Sequence, residues 1–107
     1  MGDVTPFRRP QPDSLSRPEF RKIVLEMVAA GKLKVQTHLY KDHPERSITQ
    51  AQIEMCLEKG TVQSDPYLNK FGNFQSEVFR HMAGQQLTVV AVIEWETQVV
   101  VITAYQP

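Results

Sequence analysis

The sequence predicts an α+β domain in which two main helices pack on an antiparallel sheet of about four strands. Three observations carry that reading. Two Ser-led capping signals open apolar-striped segments in the first sixty positions. The period of the apolar residues changes to two at Leu33. Three strand-like runs separated by short turns then fill the last third of the chain.

Residues 1–16 hold Pro6, Pro10 and Pro12, with Phe7 and Leu15 as the only large apolar groups after Met1. So little apolar surface does not offset ordering entropy, and a flexible tail is expected, with a single domain over 17–107. Ser16-Arg17-Pro18-Glu19 is a capping box with proline in the first turn. Phe20, Ile23, Val24, Met27 and Val28 follow at helical spacing as one stripe, and Gly31 ends the helix.

From Leu33 the alternation puts Leu33, Val35, Thr37 and Leu39 on one face and Lys34, Gln36, His38 and Tyr40 on the other, which reads as a short strand or an extended lead into the next helix. Pro44 suits the first turn of a short helical segment over 42–46. Ser47-Ile48-Thr49-Gln50 reads as a second capping box, opening a helix to about Lys59 with Ile53, Cys56 and Leu57 inward and Gly60 as its stop. Residues 61–64 form a short strand candidate and 65–73 a loop. Phe74–Met82, Gln86–Trp95 and Gln98–Tyr105 are strands joined by turns at 83–85 and 96–97, an antiparallel meander. The nearly continuous apolar runs from Leu87 to Ile93 and from Val99 to Ile102 suit inner strands covered on both faces.

Composition narrows the function classes. At 107 residues the chain is one domain, and twelve basic residues balance twelve acidic ones, which counts mildly against a nucleic-acid binder. The basic surplus is N-terminal: Arg8, Arg9, Arg17, Arg21, Lys22, Lys32 and Lys34 stand against four acids in residues 1–34, a pattern that a solvated helix face and charged tail explain. Cys56 is the single cysteine, so no intrachain disulfide forms, no Cys/His set has zinc spacing, and a small buried hydrophobe is the expectation. No apolar run approaches the ~18 residues of a membrane helix. The N-terminus lacks a hydrophobic signal core and Pro6 breaks a myristoylation pattern, so a cytoplasmic protein with no membrane partner and no cofactor is expected.

His38 is followed eight residues later by Arg46, then by Ser47-Ile48 and a helix ending in Gly60, and the last strand closes on Thr103-Ala104-Tyr105. In these features the chain, over roughly residues 33–107, resembles the bacterial family known as domain of unknown function 4258. Many members carry a second arginine four residues after the histidine. This chain has Asp42 there, which removes a cationic role, and His43 is no obvious substitute. The resemblance implies a compact domain similar to the small toxin ribonucleases of the RelE and BrnT kind, which cleave RNA without metal.

Metal-free RNA cleavage wants a general acid or base, usually histidine, and a fixed cation for the phosphorane, preferably the fork of arginine. His38 and Arg46 are of those types. Thr103 and Tyr105, two apart on one strand, project hydroxyls from one face, to position a phosphate or stack on a base. Arg80 and His81 lie on opposite faces of their strand, so at most one joins them. Each residue has a plainer role: His38 capping the following turn, Arg46 pairing with Glu45, Asp42 or a helix C-terminus, Thr103 an ordinary strand residue, Tyr105 a core lid. Two function classes follow. One is a toxin-like endoribonuclease or RNA-binding relative with His38, Arg46, Thr103 and Tyr105 as its site. The other is a non-catalytic interaction module that pairs with another protein, such as an antitoxin, or with a second copy of itself.

Overall fold

In the computed structural model the residues described are 10–36, 48–82 and 85–105. Helix α1 spans Arg17–Ala29. The Ser16 hydroxyl accepts from the Glu19 N–H (3.2 Å) and the Glu19 carboxylate accepts from the Ser16 N–H (2.9 Å), closing the expected capping box. That backbone donor, and then the Ser16 side chain, hold the Glu19 carboxyl below its ordinary pKa. At the other end Gly31 takes a positive φ of 76°. The Lys32 N–H reaches the Met27 carbonyl (2.8 Å) and the Gly31 N–H that of Val28 (3.0 Å), the paired bonds of a Schellman stop. Phe20 and Val24 are fully inside, with Ile23, Met27 and Val28 against the same core. Ahead of the helix, Leu15 joins that core and the Gln11 side chain donates to the Gly72 carbonyl (2.9 Å).

Strand β1 is Leu33–Val35. The expected helical turn over 42–46 lies outside the described residues. Helix α2 spans Gln50–Lys59, and its capping box is formed by Thr49 with Gln52, two residues later than the Ser47–Gln50 pair expected. The later start leaves Ile48 just before the cap, where it packs in one cluster with Ile53 in the first turns, the arrangement of a hydrophobic staple. Ile53, Cys56 and Leu57 are buried as the spacing requires. Gly60 ends the helix in extended backbone, φ −79°, so its need is for space and not for a left-handed turn. A Cβ there would strike the Cys56 carbonyl oxygen and sit 2.7 Å from that of Phe79 and 2.9 Å from a Val78 methyl.

The sheet corrects the expectation of about four antiparallel strands: among the described residues it has six, and it is mixed. Strands β2 (Thr61–Val62), β3 (Tyr67–Leu68), β4 (Phe74–Met82), β5 (Gln85–Glu94) and β6 (Gln98–Tyr105) follow α2. The order is β1-β6-β5-β4-β2, with β3 also on β4. The meander β4–β5–β6 is as expected, with Glu96 at a positive φ of 55° in the second turn. The parallel neighbour is β1, with Leu33 on Val99, Lys34 on Val100 and Val35 on Val101. Burying Leu33 and Val35 beside Val99 and Val101 drives this pairing between distant segments, which local turn rules do not reveal. Two-residue strands such as β3, inside the expected 65–73 loop, fall below the length at which alternation is readable.

Both described helices cover one face of the sheet, against Phe74, Val78, Leu87, Val89, Ala91, Ile93, Val99, Val101 and Ala104. A bulge at Ile102 shifts the β5–β6 register, so Val101 and Ala104 both point into this core. Thr88, Val92 and Val100 alternate with those residues, facing the other side, and they too are buried although no described helix packs there. No helix among the described residues is long and apolar enough to cross a membrane. Replacement of Gly60 by Ala is expected to lower stability by about 1–3 kcal/mol in a urea titration, the cost of overpacking. An unchanged midpoint would contradict the close approach of α2 to β4.

Candidate functional site

Thr103 and Tyr105 lie opposite Val90 and Thr88, two residues apart on β5, so they share the face turned away from the helices. The bulge falls before them and leaves their common orientation intact. On this face Phe79, Thr88 and Tyr105 form one row across three strands, and Glu77, Val90 and Thr103 the next. His81 continues the Phe79 side of β4, whereas Arg80 falls on the side of Val78, under the helices. The expected split of Arg80 and His81 between faces is therefore present.

The two hydroxyls differ in freedom. Thr103 donates to the carbonyl of Ile102 (2.8 Å), which commits its proton and leaves it as an acceptor. Tyr105 is half-buried with no hydrogen bond to another described residue. His38 and Arg46, with Asp42 and His43, lie outside the described residues. What is described is their approach. Gln36, two residues before His38, donates its N–H to the Val101 carbonyl (3.1 Å), two residues before Thr103. The parallel β1–β6 pairing thus sets the segment that ends at Gln36 beside the strand that carries Thr103 and Tyr105.

The N-terminal basic residues have internal work. Arg17 pairs with Asp65 (2.8 Å) in an exposed bridge, a contact of small energetic weight. Arg21 donates to the carbonyls of Glu58 (2.8 Å) and Gly60 (3.4 Å), tying α1 to the C-terminus of α2, where a cation offsets the helix dipole. Among the described residues no group of three or more His, Cys, Asp or Glu side chains is placed to hold a metal.

Cys56 is sealed in the core, its thiol against the carbonyls of Val78 (3.5 Å) and Leu87 (3.6 Å). Burial pushes its pKa up to about 11, against the smaller opposing pull of the Arg80 guanidinium. Arg80 Nη1 is itself buried with no acceptor among the described residues. A neutral, enclosed thiol is a packing group and not a nucleophile.

One feature of the site face went unread in the sequence. Phe71 is 76% exposed, Tyr67 52% and Leu68 47%, all on β3 and the loop after it. The Lys70 ammonium stands 5.2 Å from the Phe71 ring centroid. Behind them a groove of about 580 Å³ crosses the sheet, floored by Val92, Val100 and Ile102. The legible signal was Asn69-Lys70-Phe71-Gly72-Asn73, turn residues around one aromatic that a tight turn cannot bury.

Comparisons of the chain with protein-family models, with curated proteins and with solved structures found no match.

The buried thiol has two measurable consequences. Native protein at pH 8 is expected to resist iodoacetamide at Cys56 and to react on unfolding; fast native alkylation would contradict the burial. Because the folded pKa lies above the ordinary 9.0, the thiol's contribution to stability is complete below pH 9 and is lost as pH rises through about 11. Cys56→Ala should flatten that part of the stability–pH curve.

Proposed function

We propose that the domain acts on RNA, as a toxin-like, metal-independent endoribonuclease or an RNA-binding relative of one. The observation that carries the reading is the parallel register of β1 on β6. It makes neighbours of two sequence-distant pieces of the expected constellation, the segment leading to His38 and the strand bearing Thr103 and Tyr105. Support also comes from the placement of Thr103 and Tyr105, both only half-buried, on the face without a described helix.

In this reading His38 takes the proton of the 2′-hydroxyl or gives one to the 5′ leaving oxygen. Arg46 supplies the bidentate cation that a phosphorane's charge requires. The 2′-oxygen bonds to phosphorus as the bond to the 5′-oxygen breaks, leaving a cyclic phosphate and a free hydroxyl. Tyr105, with its hydroxyl unclaimed by other described residues, stacks on a base or donates to a phosphate oxygen. Thr103, having committed its proton to Ile102, only accepts.

A specific observation favours a second reading, an interaction module: the exposed Tyr67, Leu68 and Phe71 beside an apolar-floored groove have the anatomy of a protein-binding anchor.

Purified protein should cleave a mixed RNA substrate in the presence of EDTA. His38→Ala and Arg46→Ala should each lower the rate by about 10²-fold or more. Tyr105→Phe should weaken cleavage less, since it keeps the ring. Absence of cleavage and of RNA binding by folded protein, or cleavage unchanged in His38→Ala, would overturn the reading.

A further inference from the structure

Two aromatic rings stand free of the core, and hydrogen bonds fix both. The Asn69 side-chain oxygen accepts from the N–H groups of Phe71 (2.9 Å) and Asn73 (3.1 Å). The Asn69 N–H donates to the Asn73 carbonyl (2.9 Å) and the Gly72 N–H to that of Asn69 (2.9 Å). Tyr67 lies opposite Gln75 on β4, so it shares the face turned away from the helices. Its hydroxyl accepts from the Gln75 amide (2.8 Å), whose oxygen accepts in turn from the Asn69 amide (3.2 Å). Rings held this way lose little freedom when a ligand stacks on them.

What surrounds the rings decides between occupants. The Lys70 ammonium stands 5.2 Å from the Phe71 ring centroid, and Asn69, Asn73, Gln75 and Gln36 edge the adjoining groove. Protein-binding anchors sit in interface cores where lysine is depleted. Exposed rings attended by a lysine and side-chain amides have the composition that binds unpaired bases instead. A base stacks on the ring, the ammonium meets a neighbouring phosphate, and the amides reach the base edges. Val92 and Val100 beneath are already buried, so the surface offered is that of the rings and the amides.

Their position on the sheet links them to the candidate site. Tyr67, Gln75, Val92 and Val100 form one row across the face. The next row ends in Thr103 and the one after in Tyr105, about 7 and 14 Å further along β5. The carboxylate on the groove, Glu94, lies beyond Val92 in the opposite direction. A strand running from the rings towards Thr103 therefore leaves it behind.

We propose that Phe71 and Tyr67 form a stacking platform for unpaired RNA bases that flank the nucleotide at Thr103 and Tyr105, with Lys70 on a phosphate of the same strand. This rests on the RNA reading of the sheet face and adds the demand for a single strand that extends a few nucleotides past Thr103.

Fluorescence anisotropy with a labelled single-stranded RNA whose 2′-hydroxyls are methylated tests it without cleavage, and circular dichroism confirms that each variant folds. Wild-type protein should bind the single strand more tightly than the same sequence in a duplex. Phe71→Ala should weaken binding by about fivefold to a hundredfold, the range for one stacked base. Phe71→Leu, which keeps apolar bulk without a π face, should lose nearly as much, and Phe71→Trp should bind at least as well as wild type. Lys70→Gln should lower the slope of log affinity against log salt by about 0.7, the loss of one phosphate contact. Binding unchanged in Phe71→Ala, or kept in Phe71→Leu, would overturn the platform and leave the exposed rings to a protein partner. Cleavage of unmethylated RNA on the same samples separates the two readings. Wild-type cleavage with binding indifferent to Phe71 would sink the platform alone. Phe71-dependent binding without cleavage would uphold it and remove the nuclease. Folded protein that neither binds nor cleaves would overturn both.

Discussion

The three-residue register of Leu33, Lys34 and Val35 on Val99, Val100 and Val101 is the contact that makes one domain of this chain. The C-terminal meander builds three strands from local hairpins, but the strand that completes its edge comes from the other end of the sequence. Leu33 and Val35 join the core that also takes Phe20 and Val24 of α1 and Ile53, Cys56 and Leu57 of α2. Arg21 secures the same assembly from outside by donating to the last carbonyls of α2. Parallel pairing of this kind closes a long loop before it gains anything, so its stability comes from the apolar side chains it buries and not from three residues of ladder.

That pairing also divides the sheet into two working faces. The helix-covered face is closed packing, down to a thiol whose ionisation burial suppresses and a glycine at which no Cβ fits. The opposite face carries the candidate residues Thr103 and Tyr105. At one end are Thr103, Tyr105 and His81; at the other, the Phe71 loop and its groove. Val92 and Val100, on the floor of that groove, are buried, so the face is not a solvated back.

Much of this was legible in the sequence, and for local reasons. The α1 boundaries follow from Ser16, Glu19 and Gly31, whose capping bonds form within five residues of one another. The meander follows from short turns between long apolar runs. What was not legible depended on partners distant in the chain. The start of α2 was ambiguous because Ser47–Gln50 and Thr49–Gln52 both fit a capping box, and the choice is made by where Ile48 and Ile53 pack. The parallel edge was invisible because nothing in Leu33-Lys34-Val35 names Val99 as its neighbour. Of the candidate site, the common face of Thr103 and Tyr105 was readable from spacing alone. The committed proton of Thr103 and the outward Phe71 were not, since each follows from backbone geometry that residue type does not encode.

The most direct measurement is chemical-shift mapping of isotopically labelled protein titrated with a short RNA whose 2′-hydroxyls are methylated, so that it binds without being cut. Perturbations clustered at the amides of Gln36, Thr103, Tyr105 and their β5 partners are expected, because β1 and β6 meet there. Perturbations absent altogether, or confined to the basic side of α1 around Arg17 and Lys22, would contradict the placement of an RNA site on the sheet face.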